Sequence, residues 1–152
     1  MTPANPDDFA AAWCDRLSNG ALVLFRHGAP ADDAFTHSAI ADAFAQSLGL
    51  TPIGFNWELL DAQGEVGDTR SALGEMTKAL SHDLSNPSTP WLDHSIADRC
   101  ARDFLALFDA SRCTIVSNRY DGLWNPIAGG AVEWGFVGFD QSRIALLLLA
   151  AK

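Results

Sequence analysis

Positive charge is what this sequence has least of. It has 10 Lys and Arg side chains against 19 Asp and Glu, which gives a formal net charge of −9 over 152 residues. Binding to the phosphate backbone of a nucleic acid depends on clustered Lys and Arg, which displace its counterions. We therefore expect no nucleic-acid partner. The acidic balance is compatible with plain solubility or with docking onto a basic protein.

Cysteines are few, and no apolar segment is long. The three cysteines, Cys14, Cys100 and Cys113, are widely spaced and form no C-x-x-C pair, which is typical of a reducing compartment. The longest uncharged apolar run, 144–151, is far shorter than the roughly 20 residues that cross a bilayer. Residues 1–8 lack the basic and then apolar layout of a signal peptide. These absences predict a cytoplasmic protein with no membrane partner.

Familiar metal and cofactor motifs are also missing. The four histidines, His27, His37, His82 and His94, never occur as H-x-x-x-H, and no cysteine pair accompanies them. There is no Walker loop and no G-x-G-x-x-G, and Ser117 lacks the glycines that flank a hydrolase nucleophile. The sequence therefore predicts neither a metal site nor a cofactor.

Apolar and aromatic residues are plentiful. Hydrophobic residues make up 48% of the chain, with five Trp and nine Phe among them. A disordered acidic chain would have few aromatic residues. The length is typical of one domain and is sufficient to bury an ordinary core. We therefore expect a single folded domain over residues 1–152.

Four helices are predicted from N-cap residues and from apolar residues at helical spacing. An Asn, Ser, Thr or Asp side chain that precedes such a stripe satisfies the first backbone N–H groups of a helix. The predicted N-terminal residues are Asn5 ahead of Pro6, Thr36, Asp68 or Thr69 for the third helix, and Asp93 for a fourth helix over 93–109.

Short apolar runs and one hairpin predict the strands. Helices that alternate with such strands predict an α/β fold, in which one small central sheet is flanked by helices and ends in a C-terminal β-hairpin. Inside the first arm of the hairpin, Gly135 and Gly138 indicate a bulge or a close backbone approach. The predicted strands are 21–25, 53–61 and 112–117, and the hairpin arms are 131–139 and 143–150, joined at 140–142.

One short segment has the composition of a reactive site. The strand 21–25 runs straight into Arg26-His27-Gly28, and residues 26–30 are predicted to form a loop. Ligands of α/β sheets bind beyond the carboxyl ends of strands. A neutral imidazole can attack phosphorus, a guanidinium can hold phosphoryl oxygens, and glycine lets the backbone come close. The segment is therefore either a phosphate site or an ordinary surface loop.

At these residues the chain resembles the histidine phosphatase superfamily, which includes phosphoglycerate mutases. That family opens with a strand followed by Arg-His-Gly, as at Arg26-His27-Gly28, and continues with a threonine-capped helix. A second phosphate-binding arginine opens or precedes a later helix, where Arg70 stands in this chain. The family's second active-site histidine follows a buried strand, and this chain has Asn118 at that point.

The resemblance implies metal-free hydrolysis of a phosphomonoester or phosphohistidine through a phosphohistidine at His27. A neutral amide in place of the second histidine supplies hydrogen bonds but no charge, and losing a positioned cationic donor slows such a reaction. The protein is then either an impaired phosphatase or only a binder of a small phosphorylated ligand. The residues implied in catalysis are His27, Arg26 and Arg70, and those implied in substrate binding are Gly28, Asn118 and Arg119.

The alternative is a non-catalytic acidic binding protein, an inhibitor or immunity protein that caps a basic protein partner. The segment 118–134 contains Tyr120, Trp124 and Trp134, which are residue types enriched at binding hot spots, unless the indoles simply cover the core. The catalytic hypothesis requires the implied residues to meet in one cleft. The capping hypothesis requires a contiguous acidic or aromatic surface away from His27.

Overall fold

The computed structural model of the chain describes residues 5–62, 70–120, 123–130 and 132–152, without the side chain of Tyr120. Within them, no helix is both long and apolar enough to cross a membrane. The helices are α1 (Pro6–Leu17), α2 (His37–Ser47), α3 (Ala72–Ser81) and α4 (His94–Leu105), with a 3-10 turn at Gly54–Asn56. The strands are β1 (Leu22–Gly28), β2 (Glu58–Leu60), β3 (Thr114–Ser117), β4 (Arg119–Tyr120), β5 (Leu123–Trp124), β6 (Glu133–Phe139) and β7 (Ile144–Ala150).

A five-stranded sheet forms the centre of the fold. Its order is β1-β7-β6-β3-β2, and all neighbouring strands are antiparallel. Strands β4 and β5 form a separate two-stranded ribbon. The hairpin β6–β7 lies in the middle of the sheet, so the predicted α/β class, central sheet and C-terminal hairpin are confirmed.

Both faces of the sheet are covered, because nearly every position of the hairpin is buried. One face packs against α1, α3 and α4 in a cluster that includes Phe9, Phe104 and Phe136. The other face packs against α2 and the 3-10 turn, where Phe44 and Trp57 lie. The sheet is therefore the middle of three layers.

Glycine in β6 permits a close approach rather than a bulge. The register of β6 with β7 is continuous from Glu133 to Phe139. A Cβ atom at Gly138 would lie 2.5 Å from the ring of Phe108. Of the two possibilities that the sequence left open, the close approach is the one observed.

The helix starts at Asn5 and Thr36 are confirmed, whereas α3 begins later than predicted. Ser71 caps α3, because its hydroxyl accepts a hydrogen bond from the backbone N–H of Gly74 at 2.9 Å. The backbone at 70–72 cannot be helical earlier, since it pairs with Asp61 in a parallel bridge. The predicted starts, Asp68 and Thr69, lie outside the described residues.

The predicted strand 53–61 is correct only for β2. Upstream of it, the carboxylate of Asp42 accepts hydrogen bonds from the backbone N–H groups of Ile53 and Gly54, both at 2.9 Å, and from the Trp57 indole at 2.7 Å. Gly54 has a φ of +62°, which favours glycine. A side chain from α2 therefore curls this segment into a 3-10 turn.

Candidate functional site

The Arg26-His27-Gly28 segment is part of β1 and not of a loop. These three residues pair in register with Leu146, Ala145 and Ile144 of β7. The predicted loop 26–30 is therefore wrong at its first three residues. Strand β1 continues past its apolar part because the fully paired β7 offers backbone partners along its whole length.

The surroundings of this segment do not favour an anion. The Arg26 guanidinium donates a hydrogen bond to the carbonyl of Phe25 at 2.8 Å. Nε2 of His27 lies 3.4 Å from a carboxylate oxygen of Asp7. An incoming phosphoryl group would have to displace the exposed Asp7 carboxylate from this nitrogen before the nitrogen could attack. Gly28 packs near Phe44, since a Cβ atom there would lie 3.6 Å from the ring.

Arg70 lies at the opposite edge of the sheet. Its guanidinium is 2.5 Å from a carboxylate oxygen of Glu58 in β2. Strands β1 and β2 form the two edges, with three strands between them. At about 4.8 Å per strand, Arg70 is separated from Arg26 by roughly 19 Å across the sheet.

Asn118 lies towards the other end of the sheet from His27. Strand β3 runs antiparallel to β1, and Ser117 aligns through β6 and β7 with Phe25. Asn118 is thus three strands across and three residues along from His27, a separation of roughly 18 Å. The rule about carboxyl ends holds for parallel strands, so it does not bring these residues together here.

The side-chain amide of Asn118 forms hydrogen bonds within the protein through both its nitrogen and its oxygen. It is 0% exposed, and its Nδ2 donates hydrogen bonds to the carbonyls of Asn125 and Glu133, both at 3.2 Å. Its Oδ1 accepts a hydrogen bond from the backbone N–H of Gly135 at 2.8 Å. The amide therefore ties the segment after β3 to β6, which is a structural role.

Arg119, another predicted site residue, lines a cavity. Its guanidinium carbon is 4.7 Å from the ring centroid of Trp124 and 4.9 Å from that of Trp134. The two indoles meet edge to face at 6.3 Å, and Trp134 stacks on Phe136 of the core at 5.7 Å. Trp134 is only 4% exposed, so this indole does cover the core.

The cavity beside Arg119 has a volume of about 350 Å³, and we name it the Arg119 pocket. Its walls combine three basic side chains with apolar ones and the two indoles. Residue Asp83 also lines it. The basic side chains are Lys78, His82 and Arg119, and the apolar walls are Ala79, Leu84, Pro87, Trp124 and Trp134.

Two carboxylates lie close to the basic side chains of the pocket. The hydroxyl and backbone N–H of Ser85 donate hydrogen bonds to Asp83 at 2.7 and 2.8 Å, and these bonds hold the pKa of Asp83 below its usual value. Asp83 therefore stays ionised, with its charge engaged by its own loop. The ammonium of Lys78 lies 3.5 Å from a carboxylate oxygen of Glu75. Arg119 is the cation that the aromatic wall holds directly.

Lys78 and His82 were missed by the sequence reasoning, for a physical reason. They lie on and after α3, about 40 residues before Arg119, and only the tertiary packing joins the two segments. The one local signal was the recurrence of tryptophan shortly after Arg119, because guanidinium groups pack against indole rings.

The remaining reactive groups form no second centre in the part of the chain that is described. There, no group of three or more His, Cys, Asp or Glu side chains is placed to hold a metal ion. Burial raises the pKa of the Cys113 thiol to about 12, and it also raises the pKa of Cys100 and Cys14. Thiols with raised pKa values are poor nucleophiles at neutral pH.

Comparison with known protein families, with curated proteins and with solved structures finds no match to this chain. The resemblance to histidine phosphatases therefore rests on the Arg26-His27-Gly28 segment and the order of the elements alone.

Proposed function

We propose that the protein is a non-catalytic binding protein that holds a small phosphorylated ligand in the Arg119 pocket. The observation that carries this proposal is the position of the Arg119 guanidinium, which lies against two indoles in a cavity shared with Lys78 and His82. A guanidinium is the side chain best suited to a phosphate group, because its donors match two phosphate oxygens at once.

Preorganisation supports this role for Arg119. A flexible arginine loses rotamer freedom when it binds an anion, and this loss weakens binding. Contact with both indoles restricts the Arg119 side chain before any ligand arrives, and the core contact of Trp134 with Phe136 restricts the indole in turn. The pocket therefore presents a positioned cation.

Catalysis through His27 has no comparable support. The phosphohistidine mechanism requires His27, Arg26 and Arg70 to contact one phosphoryl group. Arg26 and Arg70 lie at opposite edges of the sheet, and Asp7 lies beside the His27 imidazole. Of the two forms of the phosphate hypothesis, an impaired phosphatase and a binder of a phosphorylated ligand, we therefore propose the binder.

The test compares two arginines by titration calorimetry with phenyl phosphate. We expect Arg119→Gln to weaken binding about tenfold or more, because it removes a charge-assisted hydrogen bond. Arg26→Gln is the matched control and should bind as the wild type does. The opposite result, with Arg26→Gln weakened and Arg119→Gln unchanged, would overturn the proposal and restore the histidine phosphatase site. Release of phosphate that His27→Ala abolishes would do the same.

A second candidate function is the capping of a basic protein, and one exposed loop favours it. This loop follows β1 within eight residues of His27, so it is not the surface away from His27 that the sequence predicted. Between β1 and α2, the side chains of Asp32 and Asp33 are exposed and Phe35 is 88% exposed. An exposed aromatic ring next to two carboxylates is suited to a cationic, partly apolar surface.

The probe for this second candidate is a Lys- and Phe-rich peptide, followed by fluorescence anisotropy. Phe35→Ser should weaken its binding about tenfold, as the loss of a hot-spot aromatic does. Phe55→Ser is the control, since Phe55 is 87% exposed on a different segment. Equal weakening by both variants, or no binding of the peptide, would count against the capping function.

A further inference from the structure

The walls of the Arg119 pocket carry information about the rest of the ligand. Apart from its three basic side chains and Asp83, the pocket is lined by Ala79, Leu84 and Pro87 together with two indoles. Its volume of about 350 Å³ equals that of roughly a dozen water molecules. A bare phosphate ion has only five non-hydrogen atoms and would leave most of this space as water against apolar walls.

The two indoles add a second, independent observation. The N–H groups of Trp124 and Trp134 are buried and have no hydrogen-bond acceptor among the described residues. Buried donors normally find a partner, either an acceptor atom or the face of an aromatic ring. Trp124 is only partly buried and lines the pocket, so part of its ring is open to a ligand, whereas its N–H group is not.

We infer that the ligand is an aromatic phosphomonoester, an inference that rests on the proposed function. Its phosphate lies against Arg119 and Lys78, and its flat ring packs against Leu84, Pro87 and the exposed part of Trp124. A planar ring provides the apolar surface that these walls require and packs well against an aromatic side chain. Binding buries apolar area that inorganic phosphate does not have.

The deciding experiment compares three probes on the wild-type protein by titration calorimetry. These are inorganic phosphate, ethyl phosphate and phenyl phosphate, which share one anionic group and differ in the attached body. We expect phenyl phosphate to bind at least about tenfold more tightly than inorganic phosphate, with ethyl phosphate between them. Phenol, which has the ring without the phosphate, should show no measurable binding.

Each failure has a distinct signature. Equal affinity for all three phosphates overturns the inference about the ring and leaves the phosphate-binding function standing. No binding of any phosphate overturns both.

Two variants locate the ring within the pocket. Leu84→Ala should reduce the preference for phenyl phosphate over inorganic phosphate, whereas Arg119→Gln should weaken both probes alike. A preference unchanged in a folded Leu84→Ala protein would show that the ring lies elsewhere. Leu84 is largely buried, so its substitution can also affect folding. Pro87 is exposed on the same wall, and Pro87→Ser should likewise reduce the preference for phenyl phosphate.

Discussion

Single polar side chains hold together the parts of this protein that the sequence pattern does not specify. Asn118, Asp42 and Glu133 each bond to backbone groups of a different segment. The carboxylate of Glu133, for example, accepts hydrogen bonds from the N–H groups of Ala128 and Gly130, each at 3.1 Å. A residue placed like Asn118 is easily mistaken for a site residue, because both kinds of position favour amides that can donate and accept at once.

Asn118 gives the residue-scale prediction. Asn118→Ala leaves two carbonyls and one N–H without their partner in a fully buried place. We expect the free energy of unfolding to fall by about 2–4 kcal/mol, measured by urea unfolding. The exposed Asn19, substituted in the same way, should change stability by less than about 0.5 kcal/mol. Equal effects of the two substitutions would contradict the structural role.

At the scale of elements, the sequence correctly predicted those helix starts and strands that depend on interactions between neighbouring residues. The caps at Asn5 and Thr36 and the whole β6–β7 hairpin were predictable, since each depends on neighbours within a few residues or on a long apolar run. The start of α3 and the 3-10 turn were not, because Asp61 and Asp42 determine them from other segments. The extension of β1 through Gly28 also depends on a partner strand.

The turn of the hairpin gives the element-scale prediction. Burial alone raises the pKa of Asp140, but hydrogen bonds from the N–H groups of Asp109, Ser142 and Arg143 outweigh it and hold the pKa below its usual value. A carboxyl with a lower pKa in the folded state stabilises the protein above its unfolded pKa of about 3.9. That contribution is lost as the pH falls through the folded value.

Asp140→Asn should therefore destabilise the protein at pH 7 by about 1 kcal/mol, because an amide keeps one acceptor oxygen and loses the other, which here accepts from Asp109 or from Ser142 and Arg143. The difference from the wild type should shrink as the pH falls below about 4. Urea unfolding between pH 7 and pH 2.5 measures it. Asp98→Asn serves as the control, because the Asp98 carboxylate pairs with the more exposed Arg102 on the same helix, α4. A stability difference between Asp140→Asn and the wild type that stays constant with pH would contradict a stabilising role for the ionised Asp140 carboxylate.

At the scale of the whole molecule, the three arginines that the sequence assigned to one site turn out to be dispersed. Of the 10 Lys and Arg side chains, Arg26 lies on one edge of the sheet, Arg70 on the other, and Arg119 in the pocket. The composition gives the number of these arginines, whereas the order of the strands determines how far apart they lie. An antiparallel order sends the carboxyl ends of β1 and β3 in opposite directions, and this could not be inferred from which segments form strands.

The same strand order has a consequence for how the chain acquires its fold on the ribosome. Among the described strands, β1 pairs with β7 alone, whose residues are made about 120 residues later. At 5–20 residues per second, β1 waits roughly 6–24 s for its partner during synthesis. Through that interval the apolar residues 22–25 have no sheet to join. Until β7 is made, the backbone of this strand is open to pairing with another molecule, which is the general hazard of an unpaired strand.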